Sequence, residues 1–129
     1  MLKLVARTNS TTMKRLKSFK YAFNGLKTLF KEEQNARIHL LASLVAITLS
    51  IVLEINLIEW VAVVFCIGFV LVAETFNTSL ENISDFISPE KNEKIKTIKD
   101  LAAAAVLLSA LTAFTVGLII FIPKICRYF

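Results

Sequence analysis

The sequence of 129 residues predicts an all-α integral membrane protein, three transmembrane helices preceded by an amphipathic helix lying in the membrane surface. Three observations carry this reading. Hydrophobic residues make up 56% of the chain and the mean hydropathy is +0.66, more apolar surface than so short a chain can hide in a core of its own. The excess sits in three stretches, residues 38–53, 55–73 and 101–122, which approach or reach the roughly 20 apolar residues that a spanning helix needs. Ahead of them lies a basic, amphipathic segment.

That segment is predicted as a surface helix over residues 13–31. Phe19, Phe23, Leu26 and Phe30 recur at helical spacing and form one narrow stripe, with Lys14 and Tyr21 on the opposite side. A basic helix with an aromatic stripe lies in the interface rather than across it. The first 37 residues lack the apolar core and small-residue cleavage site of a signal peptide, so no processing is expected. The first span, residues 36–54, carries only the titratable His39 inside its apolar run. The second, residues 57–86, has Glu59 near its outer end; with no Gly or Pro between Ala73 and Asp85, its helix is expected to continue past the membrane. Ser88-Pro89-Glu90 has the make-up of a helix start, a capping Ser followed by Pro and an acid. A helix over residues 89–122 should therefore begin in water and enter the membrane after Asp100. Along it Ala105, Ser109, Ala113 and Gly117 recur every four residues, a ladder that favours close helix packing. The whole chain reads as one membrane domain. Cys66 and Cys126 form neither a disulfide framework nor a metal-ligand pair.

Charge sets the expected orientation. Lys3, Arg7, Lys14, Arg15, Lys17, Lys20, Lys27 and Lys31 precede the first span, and Lys91, Lys94, Lys96 and Lys99 lie between the second and third. The turn over residues 54–59 has no basic residue. The positive-inside rule places the N-terminus and the second loop in the cytoplasm, with Lys124 and Arg127 in mild dissent on the outer side. The net charge of +5 suits anionic headgroups better than nucleic acid, because the basic cluster borders a span.

The chemistry is expected where the second span leaves the apolar run. At about 100° per residue Glu74, Asn77, Glu81 and Asp85 fall within an arc of roughly 80° on one face. Glu74 stands at the edge of the hydrocarbon, and Glu81 lies about 10 Å further along the axis. A lone acid there would read as an interfacial anchor above a solvated face; four aligned polar groups facing a basic helix favour a site. Two carboxylates with phosphate oxygens and water are what Mg²⁺ takes. A base at the interface suits a membrane-embedded hydroxyl, and a lysine beside phosphates neutralises charge. No phosphate-cradling Gly-rich loop is present, so a nucleotide site would have to come from side chains on helices.

Glu74-x2-Asn77-x3-Glu81-x3-Asp85, followed by Lys99-Asp100-x-Ala102-Ala103-x-Ala105-Val106-Leu107, resembles the signature of the prokaryotic diacylglycerol kinase/undecaprenol kinase family. Tyr21-x3-Gly25-Leu26-Lys27 and Glu33-x3-Arg37 extend the likeness over most of the chain. The resemblance implies a homotrimer with active sites shared between neighbours, in a bacterial inner membrane. It implies transfer of the γ-phosphoryl group of MgATP to the hydroxyl of a membrane lipid alcohol, diacylglycerol or undecaprenol. Carried over by motif, Glu74 is the general base that meets the lipid substrate, and Glu33 and Glu81 are the metal-binding acids. Lys14, Tyr21, Asn77, Glu90, Lys99 and Asp100 contact the nucleotide with them. The family often has His where this chain has Asn92, and many relatives have Gly at Ala104. The competing expectation is a non-enzymatic membrane adaptor or ion pathway with Glu74 facing a pore.

Overall fold

A computed structural model describes residues 2–88, 90 and 92–127, with side chains from residue 15 onward apart from residue 16. The described chain is helical, with α1 over Leu2–Glu32, α2 over Gln34–Val52, α3 over Leu57–Ile87 and α4 over Glu93–Ile125. It divides into two units, residues 1–32 and residues 33–129.

The first unit is the single helix α1. It begins at Leu2 rather than near residue 13, and the sequence supplies the reason: no Gly or Pro interrupts it before Gly25. Phe19 and Phe23 are exposed along its apolar stripe.

The second unit is a bundle of α2, α3 and α4, each long and apolar enough to cross a membrane. The antiparallel pair α3 and α4 packs most extensively; α2 rests on α3 and barely meets α4. Val63, Val70, Asn77 and Ser84 form the buried seam of α3, seven residues apart, and Ala102 and Ser109 repeat that interval on α4. A seven-residue repeat keeps one seam on its partner through a gentle left-handed crossing. The four-residue ladder expected on α4 is therefore only partly the packing face. Ser109 is fully buried, while Ala105 is exposed, because a repeat of four drifts off a seam of period 3.5.

The α2–α3 turn is built from end-capping chemistry. Glu54 takes φ 46°, its N–H donates to the Ile51 carbonyl, and the Ile55 N–H donates to the Ser50 carbonyl. These two bonds close the last turn of α2 as a Schellman motif, with Glu54 in the place usually held by Gly and Ile55 buried behind it. Asn56 then caps α3, its Oδ1 accepting from the N–H of Ile58 at 2.9 Å and of Glu59 at 3.0 Å. Glu59 returns the bond, accepting from the Asn56 N–H at 2.7 Å. The same carboxylate meets Lys124 Nζ of α4 at 3.0 Å. Lys124, which ran against the charge rule, is thus neutralised by its neighbour.

At the other end α4 starts at Glu93 and not at Ser88 or Glu90; Pro89, where the sequence suggested the start, lies outside the described residues. Asn92 is its N-cap, with Oδ1 accepting from the N–H of Lys94 at 2.9 Å and of Ile95 at 3.4 Å. Ser88 instead ends α3, its N–H donating to the Ser84 carbonyl. Two caps competed over this short link, and Asn is as strong an N-cap as Ser. Between the spans runs an open apolar groove of about 850 Å³, with His39 near one end and Ile125 near the other.

Candidate active site

α3 carries the polar stripe without a break, because nothing between Ala73 and Asp85 stops the helix. Its side chains grade from buried to wet. Glu74 is 1% exposed and Asn77 7%, Glu81 is partly buried, and Asp85 is exposed.

Two bonds order the stripe. Asn77 Nδ2 donates to Glu81 Oε1 at 3.1 Å, which turns the amide so that its oxygen is left over. Lys99 of α4 pairs with Asp85 at 2.5 Å, tying the first turns of α4 to the end of α3. Lys99 thus has a carboxylate partner in the stripe, and Asp100 beside it is exposed.

Glu74 lies within electrostatic reach of three groups: Glu33, His39 and Glu81. Packing of α2 on α3 therefore brings Glu33 and His39 within reach of Glu74, which shares a helical face with Glu81. Glu33 occupies the N-cap position of α2, yet its side chain makes no capping bond, so the carboxylate stays available. Among the described residues no group of three or more His, Cys, Asp or Glu forms a ready-made metal cage. Glu90 is exposed in the α3–α4 link, and its carbonyl accepts from Ser88 Oγ at 3.2 Å. Tyr21 is exposed on α1, in the first unit. The side chain of Lys14 lies outside the described residues.

Two residues near Glu74 escaped the sequence reading. His39 stood in an apolar run, and only the packing of α2 on α3 brings it near an acid. Thr78 was legible in principle, since it follows Glu74 by four residues and so lies on the same face. It is 8% exposed, and its hydroxyl makes no hydrogen bond. A cleft of about 260 Å³ between α3 and α4 has Asn77 as its polar wall among Phe76, Leu80 and Ala102.

A carboxylate 1% exposed on a helix long and apolar enough to cross a membrane marks the class, a membrane protein with a functional site built on a span. Comparison with known proteins narrows it. Residues 20–121 match the sequence model of the prokaryotic diacylglycerol kinase family. Undecaprenol kinase of Bacillus subtilis is 32% identical over 109 residues, covering 84% of this chain and 89% of that protein. Diacylglycerol kinase of Synechocystis sp. is 33% identical over 111 residues, 85% of this chain and 63% of that protein. Diacylglycerol kinase of Escherichia coli is 28% identical over 106 residues, 81% of this chain and 87% of that protein. The chain belongs to the prokaryotic diacylglycerol kinase family, and with that membership it is a lipid kinase, which sets aside the adaptor or ion pathway.

Proposed function

We propose that the protein transfers the γ-phosphoryl group of ATP to the single hydroxyl of a lipid alcohol, undecaprenol or diacylglycerol, on the cytoplasmic side of a bacterial inner membrane. The observation that carries the reading is Glu74, 1% exposed on a membrane-spanning helix, with Glu33 and Glu81 bearing on it. Both named acceptors come from relatives, and both offer an alcohol on an apolar tail.

In this reading the tail stays in the bilayer and its hydroxyl reaches Glu74. The alcohol O–H bond breaks with its proton passing to the Glu74 carboxylate, and the oxygen bonds the γ-phosphorus. The bond from that phosphorus to the β–γ bridging oxygen breaks, and ADP leaves. Such a transfer needs alignment and charge stabilisation more than covalent help, so a few helix-borne groups suffice. Glu33 and Glu81 are the residues that would hold Mg²⁺; a free N-cap carboxylate and a partly buried acid are a donor set that this hard cation accepts. When bound, the ion offsets phosphate charge. Asn77, pinned to Glu81, lines the nucleotide; Lys99 supplies positive charge and Asp100 orients the nucleotide, with Glu90 in the link beside them. The basic residues around α1 and the α3–α4 link support the cytoplasmic orientation. A homotrimer is part of the same proposal: α2 meets α4 so little that apolar surface is left for a neighbouring subunit to cover.

The test is radiochemical. Protein in lipid nanodiscs is given ATP labelled on the γ-phosphate and either undecaprenol or diacylglycerol. Label should enter a chloroform-extractable product with at least one alcohol and none without protein. Absence of extractable label with both would refute the proposal.

A further inference from the structure

We infer that Thr78 is a further residue of the reaction centre, its hydroxyl hydrogen-bonding the oxygen of the acceptor alcohol beside Glu74. The inference rests on the lipid-kinase reading above and adds a residue beyond the motif positions assigned there.

The first observation is an orphaned cluster. Among the described residues, three buried side-chain polar atoms lack a hydrogen-bond partner: Glu74 Oε2, Asn77 Oδ1 and Thr78 Oγ1. All three belong to residues more than nine-tenths buried, at 1%, 7% and 8% exposure. They stand at positions i, i+3 and i+4 of one helix, so they share a face and their Cβ atoms are neighbours at about 5–6 Å. Buried polar atoms are nearly always satisfied, and three failures on one turn mark a place built to receive a polar group.

The second observation separates Thr78 from its kind. A helical threonine inside an apolar span ordinarily donates its hydroxyl to the carbonyl four residues earlier. Each other threonine of α2, α3 and α4 does so: Thr48, Thr75, Thr97, Thr112 and Thr115, at 2.7–2.9 Å. Thr78 does not, and its hydroxyl remains free within the bundle. Its neighbours on the exposed side, Thr75 and Ser79, both make the backbone bond, so the local helix geometry permits it.

The chemistry that fits is a primary alcohol. Its oxygen has one proton and two lone pairs, and it needs three directions fixed at once. The proton points to Glu74 Oε2, one lone pair accepts from the Thr78 hydroxyl, and the other faces the γ-phosphorus. Glu74 alone fixes one direction and leaves the oxygen free to rotate. Thr78 fixes a second, which aligns the third for attack. The proton and phosphoryl group move as already described.

Thr78→Val removes the hydroxyl at nearly constant shape, and Thr78→Ser keeps it. In nanodiscs with labelled ATP, Thr78→Val should lower kcat/KM for the lipid alcohol by roughly 10- to 100-fold. KM for ATP should stay within about twofold, and the thermal midpoint at or above that of the wild type, because an unpaired buried hydroxyl is gone. Thr78→Ser should recover activity to within about fivefold. Thr78→Val with wild-type kcat/KM for the alcohol overturns the inference. So does an equal loss in Thr78→Ser, or a loss that falls on KM for ATP; these mark a packing or nucleotide role. If Thr78→Val does not fold, Thr78→Ala is read by the same criteria, and failure of both to fold assigns Thr78 to structure alone. A wild-type protein that labels no lipid overturns the function itself, whereas an active wild type with an indifferent Thr78→Val overturns only the present inference.

Discussion

Replacing Glu74 by Gln tests whether the buried acid works as a base. The amide matches the carboxylate in shape but cannot accept a proton. A positioned general base contributes about 10²- to 10⁴-fold, or roughly 3–5 kcal/mol of barrier. The side chain is 1% exposed, so no bulk water stands ready to replace it, and the loss should lie toward the larger figure. Stability should move the other way. Glu74 Oε2 is buried with no hydrogen-bond partner. Glu74→Leu, which removes the polar group outright, should relieve a penalty of about 1–3 kcal/mol, a rise of several degrees in the thermal midpoint. The assays are initial rates of lipid phosphorylation, equilibrium binding of a labelled ATP analogue, and thermal unfolding in one detergent. The expected pattern is a catalytically dead Glu74→Gln that binds nucleotide as the wild type does, with a Glu74→Leu at least as stable as the wild type. A Glu74→Gln that retains more than a tenth of wild-type turnover, or a Glu74→Leu that is markedly less stable, would refute the assignment of this side chain as a base kept at a cost in stability.

Three further outcomes follow from the same geometry. Glu81→Gln should abolish the Mg²⁺ dependence of nucleotide binding, measured by titrating ATP analogue with and without the ion; an unchanged dependence would move the metal away from Glu81. Asn92→Ala removes the oxygen that accepts from Lys94 N–H and Ile95 N–H, and should cost about 1 kcal/mol, seen as a midpoint lower by a few degrees. At the α2–α3 turn, Glu54→Gly relieves the left-handed backbone at φ 46° and should raise stability by about 1 kcal/mol; a lowered midpoint would mean that the Glu54 side chain matters more than its backbone.

Much of this protein is legible along one dimension. The three spans follow from the lengths of apolar runs, because a bilayer fixes how many residues must be apolar. The unbroken course of α3 past Ala73 follows from the absence of Gly and Pro, and the stripe of Glu74, Asn77, Glu81 and Asp85 follows from helical periodicity alone. The start of α4 is harder to read, since Ser88 and Asn92 both have the chemistry of a cap and the five-residue link over 88–92 accommodates either.

What lies between helices had to wait for the tertiary structure. Periodicity says which residues share a face but not what that face meets. The approach of Glu33 and His39 to Glu74 depends on how α2 settles on α3. The pairing of Lys99 with Asp85, and of Lys124 with Glu59, depends on the antiparallel register of α3 and α4. The free hydroxyl of Thr78 likewise shows only in the packed bundle, since the same residue type at Thr75 turns back to its own helix. Local sequence sets the propensity and periodicity of each helix; the distances that make a site arise from contacts between segments far apart in the chain, and those exist only once the bundle has closed.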